Sequence, residues 1–105
     1  MTEKEQLEYA AKALGLDYKV APDGTSVVLF EDDYAEWNPL HDQADSDSMA
    51  CDLELDIEFE VGLVRTWKGA GKISEVAHDN TIEGRLAAVR QARLLVAVEI
   101  GRALP

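Results

Sequence analysis

"LELDIEFEVGLV", residues 53–64, is where the chain changes period. Leu55, Ile57, Phe59 and Val61 alternate with Glu54, Asp56, Glu58 and Glu60. Successive side chains of a strand point to opposite faces, so this pattern predicts a strand with one apolar face and one carboxylate face. It is the clearest period-two signal in the 105 residues, and it puts a sheet at the centre of the fold. Gly62 reads as a bulge or bend.

Downstream, "WKGAGK" (67–72) reads as a flexible turn and "KISEVAHD" (72–79) as a weaker strand that pairs back. Asn80 then caps a helix over residues 81–103, with Glu83 at its N3 position. Its segment "LLVAVEI" (94–100) is apolar nearly all round, which predicts the most buried helix. Upstream, Pro39 stops any strand, and Asp42 or Asp45 caps a helix that ends near residue 53. Met49, Ala50 and Leu53 form the buried face of that helix.

The N-terminal third is equally well marked. Thr2 and Glu5 have the spacing of a capping box, Leu7, Ala10, Ala11 and Leu14 share one helical face, and Gly15 stands where a C-cap needs positive φ. "LDYKVAPDGTSVVLFED" (16–32) predicts a hairpin, with strands near 18–21 and 26–30 around a Pro-Asp-Gly turn. Both faces of the second strand are apolar, which predicts cover on both sides. The order is α-ββ-α-ββ-α in a single domain, residues 1–105. The expected class is α+β: a small layered α/β/α sandwich, one antiparallel sheet of about four strands with helices packed on it.

The stretch "WNPLHDQADSDSMACDLELDI" (37–57) resembles the signature of the phage ABA-sandwich domain family, small proteins encoded in bacteriophages and prophages. The resemblance is carried by Trp37, Asn38, Pro39 and Leu40, then Asp42, Asp45, Met49, Ala50, Leu53 and Asp56. The ending "VAVEIGRAL" (96–104) is similar to the family's helical ending. The resemblance implies the layered architecture and a phage or prophage setting, and it implies no activity. The chain departs from the pattern at Ala44, Ser48 and Asp52, so much of its acidity is its own.

Net charge is −11, unevenly spread. Residues 20–64 carry 13 acids and no lysine or arginine, whereas residues 65–105 carry 4 acids and 7 bases. Phosphate contacts need lysine and arginine, so the acidic segment excludes direct nucleic-acid binding and instead fits a basic protein partner. No apolar run approaches the roughly 20 residues that span a bilayer, and "MTEKEQ" is no signal peptide, so no membrane role is expected. The single Cys51 forbids an intrachain disulfide and fits a reducing cytoplasm, here that of a bacterial host. It reads as a small core residue.

Among candidate sites, the alternating acids rank first. Asp52, Glu54, Asp56, Glu58 and Glu60 form the candidate partner-binding set, with carboxylates about 6.6 Å apart along one strand face. That is close to the phosphate spacing of a nucleic-acid strand, so imitation of nucleic acid against a nucleic-acid-binding protein is one form of the reading. A merely solvated strand face is the other. Trp37, Asn38, Pro39, Leu40, Asp42 and Asp45 are read as structural: aromatic anchor, turn and helix cap. Asp42, Asp45 and Asp47 lack EF-hand spacing, so no metal is expected, and no cofactor. His41, His78 and Cys51 show no catalytic spacing, and "KGAGK" lacks the phosphate-loop pattern. Arg93 falls in the apolar stripe of Ile82, Leu86, Val89, Val96 and Ile100 and needs an acidic partner, in this chain or in a neighbour. Arg93 and Val96 therefore mark a candidate homo-oligomer interface. The leading expectation is a non-enzymatic phage accessory protein that binds a protein partner; the alternative is an assembly protein built through its last helix, and a small enzyme comes third.

Overall fold

Helix α3 (Ile82–Arg102) organises the molecule because it is buried on two sides at once. One side lays Ala88, Val89 and Ala92 against Val64 of the sheet. The other lays Leu94, Ala97 and Val98 against Leu7, Ala10 and Ala11 of helix α1 (Glu3–Leu14). A helix with two covered sides must be apolar around most of its circumference, which is what "LLVAVEI" provides. The computed structural model describes residues 1–20, 27–29 and 36–105.

The class is α+β, with helices packed on antiparallel sheet, as the sequence indicates. The strand count is higher than expected. Strands β1 (Tyr18–Val20), β2 (Val27–Leu29) and β3 (Glu36–Trp37) form one three-stranded sheet, paired in that order. After helix α2 (Gln43–Leu53), strands β4 (Asp56–Glu60), β5 (Leu63–Lys68) and β6 (Gly71–Ala77) form a second. The single sheet of about four strands is therefore corrected to two sheets of three. Gly62 is one reason. At φ 72 it completes a two-residue turn that pairs Glu60 with Leu63, so residues 56–64 are a strand, a turn and the start of another strand. "WKGAGK" likewise shrinks to Gly69 and Ala70, with the register shift at Trp67/Lys68, and these two turns account for β5; the other added strand, β3, comes from Glu36 and Trp37 pairing with β2.

The local signals of the helices mostly hold. Thr2 and Glu5 form the capping box, and Gly15 closes α1 at φ 69. Asp42 is the N-cap of α2, accepting from the Asp45 N–H at 2.9 Å. For α3 the cap moves by one residue: Thr81 accepts from Gly84, while Asn80, at φ 66, instead accepts from the Gly62 N–H at 2.8 Å. Asn80 thus ties the β4–β5 turn to the start of α3. Two burial expectations fail. Phe59 is 55% exposed and Val61 94% exposed, because one is the next-to-last residue of β4 and the other sits in the turn. Cys51 is exposed and not in the core. The Pro22-Asp23-Gly24 turn and the cover expected over both faces of β2 lie outside the described residues.

Candidate functional site

The register of β4–β6 makes a three-by-three array on the sheet face turned away from α3. Its rows are Asp56–Trp67–Ile73, Glu58–Arg65–Glu75 and Glu60–Leu63–Ala77. The opposite parity puts Ile57, Val64 and Val76 under α3, with Val64 and Thr66 fully buried. Alternation along each strand is thus the whole reason the carboxylates face outward.

Arg65 stands in the middle of this face. Its Nη1 donates to Glu58 Oε1 at 2.6 Å and to Glu60 Oε1 at 3.2 Å, and its Nε donates to Glu75 Oε1 at 2.9 Å. Glu75 and then Glu60 hold the guanidinium more firmly protonated than usual. All three carboxylates stay about half exposed. Asp56, Glu58, Glu60 and Glu75 against one arginine leave a formal −3 on the array. Beside them Trp67 is half-buried and Ile73 is 65% exposed. The result is an acidic face with an apolar pair at one end.

Of the five candidate partner-binding acids, the structure brings three together here. Asp56, Glu58 and Glu60 share the face, while Glu54 is the left-handed C-cap of α2 at φ 55 and Asp52 lies within that helix. Sequence reading missed Arg65, Trp67, Ile73 and Glu75. The signal was present: "LVRTWK" and "ISEV" also alternate, once Gly62 is taken as a turn.

The Trp37–Asp45 motif forms a knot at the start of α2. Trp37 and Pro39 are buried, and Leu40 packs against the core. Asn38 Oδ1 accepts from the Leu40 N–H at 3.1 Å and the His41 N–H at 3.2 Å, and the Asn38 N–H donates to Asp45 Oδ2 at 2.9 Å. Burial pushes the Asp45 carboxyl up; the Asn38 N–H opposes this and Asp42 adds to it. Arg90 clamps the knot to α3 through the Leu40 carbonyl and Gln43 Oε1, each at 2.9 Å.

Arg93 finds its acidic partner within the chain. Its Nη1 donates to Asp47 Oδ1 at 2.7 Å and to Ser46 Oγ at 3.3 Å. Val96 is 1% exposed and the Arg93 side chain 16%, so the candidate oligomer interface offers little free surface. The Arg93 hydrogen bond, then that of Gln43, holds the Asp47 carboxyl below its ordinary range. A depressed acid stabilises the fold above its unfolded pKa and loses that contribution as pH falls through the folded value. Asp47→Asn should therefore cost about 0.5 kcal/mol at neutral pH, because Asp47 is exposed, and the difference from the wild type should begin to close only below about pH 4, shrinking as pH falls through the depressed folded value. Melting curves from pH 7 to 3 check this; a constant offset would refute it.

His41 lies 3.4 Å from Glu3, and His78 Nδ1 accepts from the Asn80 N–H, so the two histidines sit in separate local contacts. Among the described residues no group of three or more His, Cys, Asp or Glu side chains is placed to hold a metal ion. Nor is any helix among them long and apolar enough to cross a membrane. Fold and face together define a small α+β domain with an exposed acidic sheet surface. No protein-family model, curated protein or solved structure matches the chain.

Proposed function

We propose that this chain is a non-enzymatic accessory protein that binds a basic protein through the outer face of β4–β6. The observation that carries the reading is the array itself: four carboxylates and one arginine around half-buried Trp67 and exposed Ile73. An apolar pair beside a cluster of net negative charge supplies contact area, and the field of the cluster steers a partner of the other sign. Arg65 holds three of the acids in fixed positions, which lowers the cost of ordering them on binding. The resemblance of residues 37–57 supports a phage or prophage setting, with a host or phage protein in the bacterial cytoplasm as the partner.

Strict imitation of a nucleic-acid strand is the weaker form of this reading. Three carboxylates stay in register, and a guanidinium sits among them, where a phosphate backbone carries no cation. The test is to capture a partner with the wild type, purify it, and titrate it against Asp56→Asn/Glu58→Gln/Glu60→Gln/Glu75→Gln. The partner should be basic, and its affinity should fall about tenfold or more. An undiminished affinity would end the proposal.

A further inference from the structure

A second surface lies at the far edge of the same sheet. Phe59, Val61, Ile82 and Leu86 are 55%, 94%, 74% and 42% exposed, four of the large apolar side chains the fold leaves in solvent. Phe59 and Val61 stand at the end of the β4–β5 hairpin and Ile82 and Leu86 in the first turns of α3, and Asn80 joins the two through the Gly62 N–H. Phe59, Glu60, Val61, Asn80 and Arg85 together line an open hollow of about 500 Å³. Exposed apolar clusters of this kind mark contact sites.

The charges in the hollow indicate the occupant. Arg65, Arg90, Arg93 and Arg102 all bond to acceptors within the chain, whereas Arg85 has no hydrogen bond or ion pair among the described residues. It is half-buried, and it lines the same hollow as Glu60. A basic partner would meet Glu60 but would face Arg85 with like charge. A second copy of this chain carries both groups, and a twofold axis sets Arg85 of each copy against Glu60 of the other, with the apolar side chains between them. We infer that this edge is the contact of a twofold homodimer, which meets the acidic outer face only at Glu60.

Light scattering over micromolar to millimolar concentration tests the inference. The wild type should approach twice the 11.6 kDa chain mass. Val61→Asp, in an exposed turn where the fold can accept it, should return the mass to that of one chain with an unchanged circular dichroism spectrum. Arg85→Glu should do the same, and Glu60→Arg/Arg85→Glu should restore the dimer. Asp56→Asn and Glu75→Gln should leave the mass unchanged, so this contact can fail while the proposed partner face stands, and the reverse. A wild type that stays monomeric throughout, a dimer indifferent to Val61→Asp, or a double variant that stays monomeric would overturn it.

Discussion

Gly101→Ala is expected to lower the melting temperature by on the order of 10 °C. Gly101 is buried in the last turn of α3, where that helix crosses α1. A Cβ built there would collide with the Tyr9 carbonyl oxygen and lie 2.7 Å from its carbon and 3.2 Å from the Tyr9 Cα. These are backbone atoms, so no rotamer change relieves the clash; the two helices must separate. Alanine gains about 1 kcal/mol of helix propensity over glycine, which works the other way. Overpacking of a core costs about 1–3 kcal/mol, and more where backbone must move, so a net loss of about 2 kcal/mol remains. For a domain of this size each kcal/mol shifts the melting point by roughly 4–8 °C. Thermal unfolding followed by circular dichroism reads it directly, and an unchanged midpoint would mean that the α1–α3 crossing is looser than described.

The two tryptophans give the second large effect, because they have opposite surroundings. Trp37 is 5% exposed and packs in the main core with Leu7, Met49 and Leu94. Trp37→Ala removes a large apolar side chain and leaves a cavity, which costs about 3–5 kcal/mol. Against a typical total of about 5–15 kcal/mol, that leaves a marginal protein. Trp67 points to the outer face, flanked across the strands by Asp56 and Ile73. Trp67→Ala should cost about 1 kcal/mol in stability. As an interface anchor, its loss should weaken partner binding roughly 30-fold. Urea unfolding of both variants, with titration of Trp67→Ala against the purified partner, separates the two roles. Equal stability losses would mean that the outer face is covered, and binding by Trp67→Ala at wild-type strength would remove Trp67 from the site.

What the sequence shows, and where it falls short, follows from the range of the interactions. Helices were legible because their signals are local: the Thr2–Glu5 box, Gly15, Asp42 and the apolar run at 94–100 all act within a few residues. The acidic face was half legible. Alternation placed Asp56, Glu58 and Glu60 correctly, but Glu54 looked like part of the strand because its left-handed conformation leaves no trace in an alternating pattern. Arg65 and Glu75 depend on register, which the Val61–Gly62 turn sets and which no periodicity encodes. Arg93 was legible as a cation in need of an acid; that the acid is Asp47, 46 residues away, is a matter of how α2 packs on α3. The exposure of Phe59 and Val61 was hidden because an apolar residue at an apolar position reads as core wherever the strand ends.

The outer face of β4–β6 is proposed to engage a basic protein. The most direct test is calorimetric titration of the purified partner at low and high salt, with the wild type and with Asp56→Asn/Glu58→Gln/Glu60→Gln/Glu75→Gln. The prediction is a wild-type affinity that falls steeply with salt, and a variant that binds weakly with little salt dependence. Equal affinities for wild type and variant at both salts would show that the partner, however basic, binds elsewhere.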